Sequence, residues 1–67
     1  MNLSKLKGKL KEKRKTYKDG AKKIGQSVTC FSNKMNGHSN FDVYEAAILC
    51  EWLEMDEKER LDIFFDQ

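Results

Sequence analysis

Apolar residues fall at three- and four-residue intervals through most of the chain, the spacing of one face of a helix. Leu3, Leu6 and Leu10 form the first such stripe, set among Lys5, Lys7, Lys9, Lys11 and Lys13. Gly8 within it costs about 1 kcal/mol relative to alanine, so this helix must lean on tertiary packing. Thr16 reads as the N-cap of a second helix, Tyr17 to about Ile24, with Asp19 in its first turn and Gly25 as a left-handed stop. Ser27 caps a third, which runs to about Asn36 before Gly37 and turns Phe31 and Met35 inward as an i, i+4 pair. After the turn-forming His38-Ser39-Asn40, Asp42 caps a fourth. Val43, Ala46, Ala47, Cys50 and Leu53 share one of its faces, and Ile48, Leu49 and Trp52 widen that face, making this helix central to the core. Asp56-Glu57-Lys58-Glu59 opens a fifth in the manner of a capping box, followed by Leu61, Phe64 and Phe65 at i, i+3, i+4. The pattern predicts one all-α domain, residues 1–67, built as a compact five-helix bundle.

Composition agrees and adds a charge pattern. The chain has no proline, and 36% of its 67 residues are charged. Its net charge of +2 hides a split. Residues 1–40 hold eleven cations against Glu12 and Asp19, a surplus of nine; residues 41–67 hold Lys58 and Arg60 against nine acids, a deficit of seven. A basic pole would suit a polyanion, and an acidic pole would limit where that polyanion can lie. The lysine run of residues 5–15 is equally readable as a solvated helix face. Two cysteines and one histidine are too few for a disulfide scaffold or the usual zinc pattern, so no metal or cofactor is expected. Both cysteines read as small buried apolar residues. No apolar run approaches the ~20 residues of a membrane span. The first apolar stripe is narrow and lacks Trp or Phe, which argues against membrane binding. The first ten residues lack the apolar stretch of a signal peptide, so a cytoplasmic location is expected. No Ser/His/Asp or Cys/His spacing is recognisable, and the expectation is that the chain is not an enzyme.

The informative stretch is Thr16 to Gly37, TYKDGAKKIGQSVTCFSNKMNG. Two short helices joined by a few residues containing Gly form a helix-turn-helix. Ala21 gives the small residue that a close crossing needs, and Gly25 lets the chain turn. Ser27 leaves backbone N–H groups at the start of the third helix open to a phosphate. With Phe31 and Met35 inward, Val28, Thr29, Ser32, Asn33 and Asn36 lie on the opposite side.

On Thr16, Ala21, Ile24, Gly25, Ser27, Phe31 and the closing Asn36-Gly37, the chain resembles the phage Cro/CI-type helix-turn-helix proteins. Ser39-Asn40-Phe41 and the final Ile63-Phe64-Phe65 are similar to small Cro-like proteins of temperate phages of Gram-positive hosts. The resemblance implies a repressor-type fold, operator binding through helix 3 (about 27–36) and a role in a lysis–lysogeny switch in a bacterial host cell. It implies that Val28, Thr29, Ser32 and Asn33 reach base edges, with Asn33 suited to adenine and Val28 to a thymine methyl. It places Thr16, Tyr17, Lys22, Lys23, Ser27, Lys34, Asn36 and His38 toward phosphates.

The family's usual pattern is broken at three points. Gly20 stands in place of a large aliphatic residue, which would remove core volume. Gln26 stands in place of Ile or Val at a normally buried turn position. No Arg lies on the reading surface, although Arg to guanine is the commonest specific contact. Family members bind palindromic sites as dimers, and Leu61, Phe64 and Phe65 are candidates for a self- or partner interface. The same fold could alternatively serve an antirepressor that binds a phage CI-type repressor and blocks its DNA binding, using the acidic half against a basic reading surface.

Overall fold

The computed structural model describes residues 1–65. They form five helices: α1 (Leu3–Glu12), α2 (Tyr17–Ile24), α3 (Val28–Met35), α4 (Val43–Trp52) and α5 (Glu57–Phe64). The chain is all-α, as the hydrophobic periodicity predicts. Each start is held by a short polar side chain that accepts an otherwise unbonded N–H of the first turn. Thr16, Ser27, Asp42 and Asp56 act as the sequence implies, and Asn2 does the same for α1. Thr16-Asp19, Asp42-Glu45 and Asp56-Glu59 are full capping boxes, in which the later acid also accepts the cap residue's own N–H.

The first four helices stop in one way: the chain passes through a left-handed residue while two N–H groups fold back onto the last turn. Gly25 (φ 73°) and Gly37 (φ 84°) do this without steric cost. Arg14 (φ 57°) and Glu54 (φ 55°) end α1 and α4 in the same conformation, at a cost of about 1–2 kcal/mol each. In compensation, Lys15 N–H donates to Leu10 O at 2.8 Å and Met55 N–H to Cys50 O at 2.9 Å, and Met55 is buried.

The core joins Leu6 and Leu10 of α1, Ala21 of α2, Phe31 and Met35 of α3, Phe41, Leu49, Cys50 and Leu53 around α4, Met55, and Ile63 of α5. Gly20 faces this core and does not leave a void. A Cβ built on it would lie 2.8 and 2.9 Å from the two Cε atoms of Phe31, and closer still to Cζ. The Phe31 ring therefore occupies the volume that a side chain at position 20 would take. From there an edge-to-face series runs through the molecule: Tyr17 to Phe31 at 5.6 Å between centroids, Phe31 to Phe41 at 5.7 Å, and Phe41 to Phe64 at 6.5 Å.

Three expectations are corrected. Val43 and Ala47 are exposed, Val43 at 82%, because α4 turns Glu45, Leu49, Cys50 and Leu53 inward instead. Cys30 is exposed, one step off the Phe31–Met35 stripe, while Cys50 is buried. Gln26 is exposed rather than buried in the turn.

The charge split is partly consumed inside the molecule. Lys5 and Lys9 of α1 and Lys13 at its C-cap, spaced i, i+4, i+8, face Asp62 (3.6 Å), Glu59 (2.7 Å) and Glu54 (3.8 Å) of the acidic half. Asn2 N–H adds a backbone bond to Ile63 O at 2.6 Å. Lys9 also meets Glu12 at 3.0 Å. Hydrogen bonds donated to Glu59 and Glu12 hold the Lys9 ammonium above its ordinary 10.5, and accepting the one from Lys9 holds Glu59 below its ordinary 4.5.

Two outcomes follow from this packing. Gly20→Ala should destabilise the protein by about 1–3 kcal/mol, read as a lower thermal midpoint, because displacing a buried ring outweighs the ~1 kcal/mol gain in helix propensity. Glu59, with its pKa lowered by folding, contributes stability above its unfolded pKa that is lost as pH falls through the folded value. Lys9, with its pKa raised, contributes stability below 10.5 that is lost as pH rises through its folded value. Glu59→Gln should therefore lessen the drop in thermal midpoint between neutral pH and about pH 3, leaving the part due to Asp19, whose pKa is also lowered.

Candidate nucleic-acid interface

Gly25-Gln26-Ser27 turns the chain from α2 into α3, and the two helices pack directly. Ser27 Oγ accepts Cys30 N–H at 3.1 Å, and the N–H groups of Val28 and Thr29 lie in the open first turn. Phe31 and Met35, both fully buried, fix the rotation of α3. Its other side then carries Val28, Thr29 and Asn33, all exposed, with Ser32 half-buried. Ser32 Oγ accepts the Asn36 amide at 3.3 Å, so these two of the predicted contacts are tied to each other. The four residues expected to read bases thus share one helix face.

The residues expected at phosphates divide. Thr16 is exposed, with its hydroxyl oxygen accepting Asp19 N–H at 3.1 Å and its own N–H donating to Asp19 Oδ2 at 2.9 Å. Ser27, Asn36 and His38 are exposed at the two ends of α3. Tyr17 is half-buried against Phe31. Lys22 and Lys23 are exposed but line a groove with Arg14, Lys15, Asp19 and Trp52, to which α3 contributes nothing.

Lys34 is a correction. Its ammonium lies 2.6 Å from both carboxylate oxygens of Glu45, with side-chain exposures of 15% and 7%. It also sits 5.9 Å from the Phe41 ring centre. Glu45 Oε1 accepts Asp42 N–H at 3.0 Å as well, so one carboxylate both caps α4 and anchors α3. An ammonium so enclosed is not free for a phosphate. The exposed side of α3 therefore carries no side-chain cation.

The proposed interface trio also divides. Phe64 packs against the core, whereas Leu61 and Phe65 are exposed. Phe64 and Phe65 line an apolar groove of about 270 Å³ with Met1, Phe41, Val43, Ala46, Ala47 and Cys50, flanked by Asp42 and Arg60. Leu61 lies apart, among Asp56, Glu57, Lys58 and Asp62. Burial pushes the Cys50 thiol up, so it lines the groove as a neutral group. Val43 and Tyr44, more than four-fifths exposed, extend the apolar surface beside it. Sequence reasoning assigned Val43 to the core and gave Tyr44 no role. The Asp42-x-x-Glu45 spacing held the missing signal, since a capping glutamate on the inward side rotates Val43 outward.

Among the described residues, no group of three or more His, Cys, Asp or Glu side chains could hold a metal ion, and no helix is long and apolar enough to cross a membrane. Compared with protein-family models, curated proteins and solved structures, the chain matches none.

Breaking the Lys34–Glu45 pair should cost more than removing it. Glu45→Ala strands an enclosed ammonium and should lower stability by about 2–4 kcal/mol in chemical denaturation, whereas Lys34→Met with Glu45→Leu should recover at least half of that. A double variant no better than Glu45→Ala would mean that the carboxylate acts chiefly as the α4 cap.

Proposed function

We propose that this chain is a Cro-like regulator that binds double-stranded operator DNA through α3 and represses transcription by excluding polymerase or a competing repressor. The observation that carries this reading is the exposed face formed by Val28, Thr29 and Asn33, beyond a turn whose left-handed Gly25 and Ser27 cap leave the α3 N-terminus open. Asn33 can pair with an adenine edge and Val28 can meet a thymine methyl, while the first-turn N–H groups suit a phosphate. The resemblance to phage Cro/CI-type proteins supports a place in a lysis–lysogeny switch, with binding to palindromic sites as a dimer.

A second reading has its own observation. The α3 face has no free side-chain cation, its first residue is an exposed valine, and Val43, Tyr44 and Phe65 leave apolar surface uncovered nearby. Such a surface suits a protein partner, and here the partner would be a phage CI-type repressor whose DNA binding this chain blocks.

Gel shifts with the early promoter region, with and without that repressor, separate the two. On the operator reading, the protein alone shifts the promoter. Thr29→Ala and Asn33→Ala should each reduce discrimination against random duplex about 5- to 150-fold, corresponding to about 1–3 kcal/mol per contact. A protein that shifts no DNA but abolishes the repressor's shift establishes the second reading in place of the first.

A further inference from the structure

Eight of the eleven cations of the basic half fall into two sets, with Lys7, Lys11 and Lys18 outside both. Lys5, Lys9, Lys13 and Lys34 are each paired with an acid from the second half of the chain. Arg14, Lys15, Lys22 and Lys23 are not: among the described residues, none makes an ion pair. These four gather around one open groove of about 560 Å³, between the α1–α2 corner and Trp52 of α4. Asp19 is the one acid in its lining, and its carboxylate already accepts Thr16 N–H. Lys15 lies 5.4 Å from the ring centre of the half-buried Trp52. Arg14 holds its place there in a left-handed conformation that glycine would adopt more cheaply.

We propose that this groove is a second nucleic-acid site, which grips the phosphate backbone of duplex DNA without reading its sequence. It deepens the DNA-binding reading, but does not depend on α3 as the base reader. Four unpaired cations with one satisfied acid leave a local surplus of three positive charges on a surface open to solvent. A single small anion would be held there only by solvated ammonium and guanidinium groups, and weakly. A polyanion gains more, because each neutralised phosphate releases a condensed counterion. Three of the four cations are lysines, and no side-chain bond among the described residues holds the Arg14 guanidinium toward a base edge, so the contribution is uniform across sequences. A phosphate that draws Lys15 away changes the surroundings of Trp52, the sole tryptophan of the chain.

The test follows Trp52 fluorescence while the full chain is titrated with a short random-sequence duplex at several salt concentrations. A saturable change is expected, and Lys22→Ala/Lys23→Ala and Arg14→Gln/Lys15→Gln should each lower the slope of log affinity against log salt by about 2. Far-UV circular dichroism and thermal midpoints confirm that the exposed substitutions leave the fold unchanged. The proposal is overturned by unaltered slopes in both double variants, by a silent Trp52, or by a Trp52 response to inorganic tripolyphosphate with none to duplex. If Thr29→Ala and Asn33→Ala leave sequence preference intact while the groove behaves as expected, α3 fails as the reader and the groove stands.

Discussion

Phe31 has room for its ring only because Gly20 has no side chain, and much of the molecule is arranged around that approach. The ring enters α2 at Gly20, meets Tyr17 edge-on, and passes contact through Phe41 to Phe64. Four of the five helices, or the segments leading into them, are thereby referred to one aromatic series. The rotation of α3 about its axis follows, since turning Phe31 and Met35 inward leaves Val28, Thr29 and Asn33 outward. A glycine that would ordinarily weaken a helix here determines which residues its neighbour presents to solvent.

The second organising device is a glutamate with two duties. Glu45 and Glu59 each occupy the third position of a helix that begins with aspartate, and each closes a capping box. Each also receives a lysine from another helix, Lys34 of α3 and Lys9 of α1. The start of α4 is thereby coupled to the docking of α3, and the start of α5 to the docking of α1. Opposite charge blocks in the sequence are the trace of this arrangement as much as of any external partner. Of the cations left without an ion pair among the described residues, Arg14, Lys15, Lys22 and Lys23 share the groove at the α1–α2 corner.

Most of the architecture was legible in the chain. Ser, Thr and Asp caps, the Gly25 and Gly37 stops, and the leucine, phenylalanine and methionine spacings place the helices because each acts within a few residues. Three features lay beyond such local signals. Gly20 reads as lost volume until a residue eleven positions later is seen to fill it. Lys34 reads as a phosphate ligand until Glu45 is seen to enclose it, since identity along the sequence carries no information on which charges meet. Val43 reads as core because α4 is apolar on nearly every side, so periodicity cannot choose its inward face. The outward placement of Val28, Thr29 and Asn33 on α3 was legible, because it depends only on the two large apolar residues opposite. The Arg14–Lys15–Trp52 corner was likewise invisible, since its members come from the α1–α2 connection and the end of α4, far apart in the chain.

Two of the helix stops have a consequence for how independent the pieces are. Gly25 and Gly37 end their helices by their own backbone preference. Arg14 and Glu54 have no such preference; Glu54 turns because Met55, the next residue, is drawn into the core. Lys15, which follows Arg14, is likewise engaged, with its ammonium over Trp52. The lengths of α1 and α4 are thus properties of the assembled domain rather than of their own residues. Excised from it, either segment would lose both the packing that holds it helical and the contacts that fix where it turns.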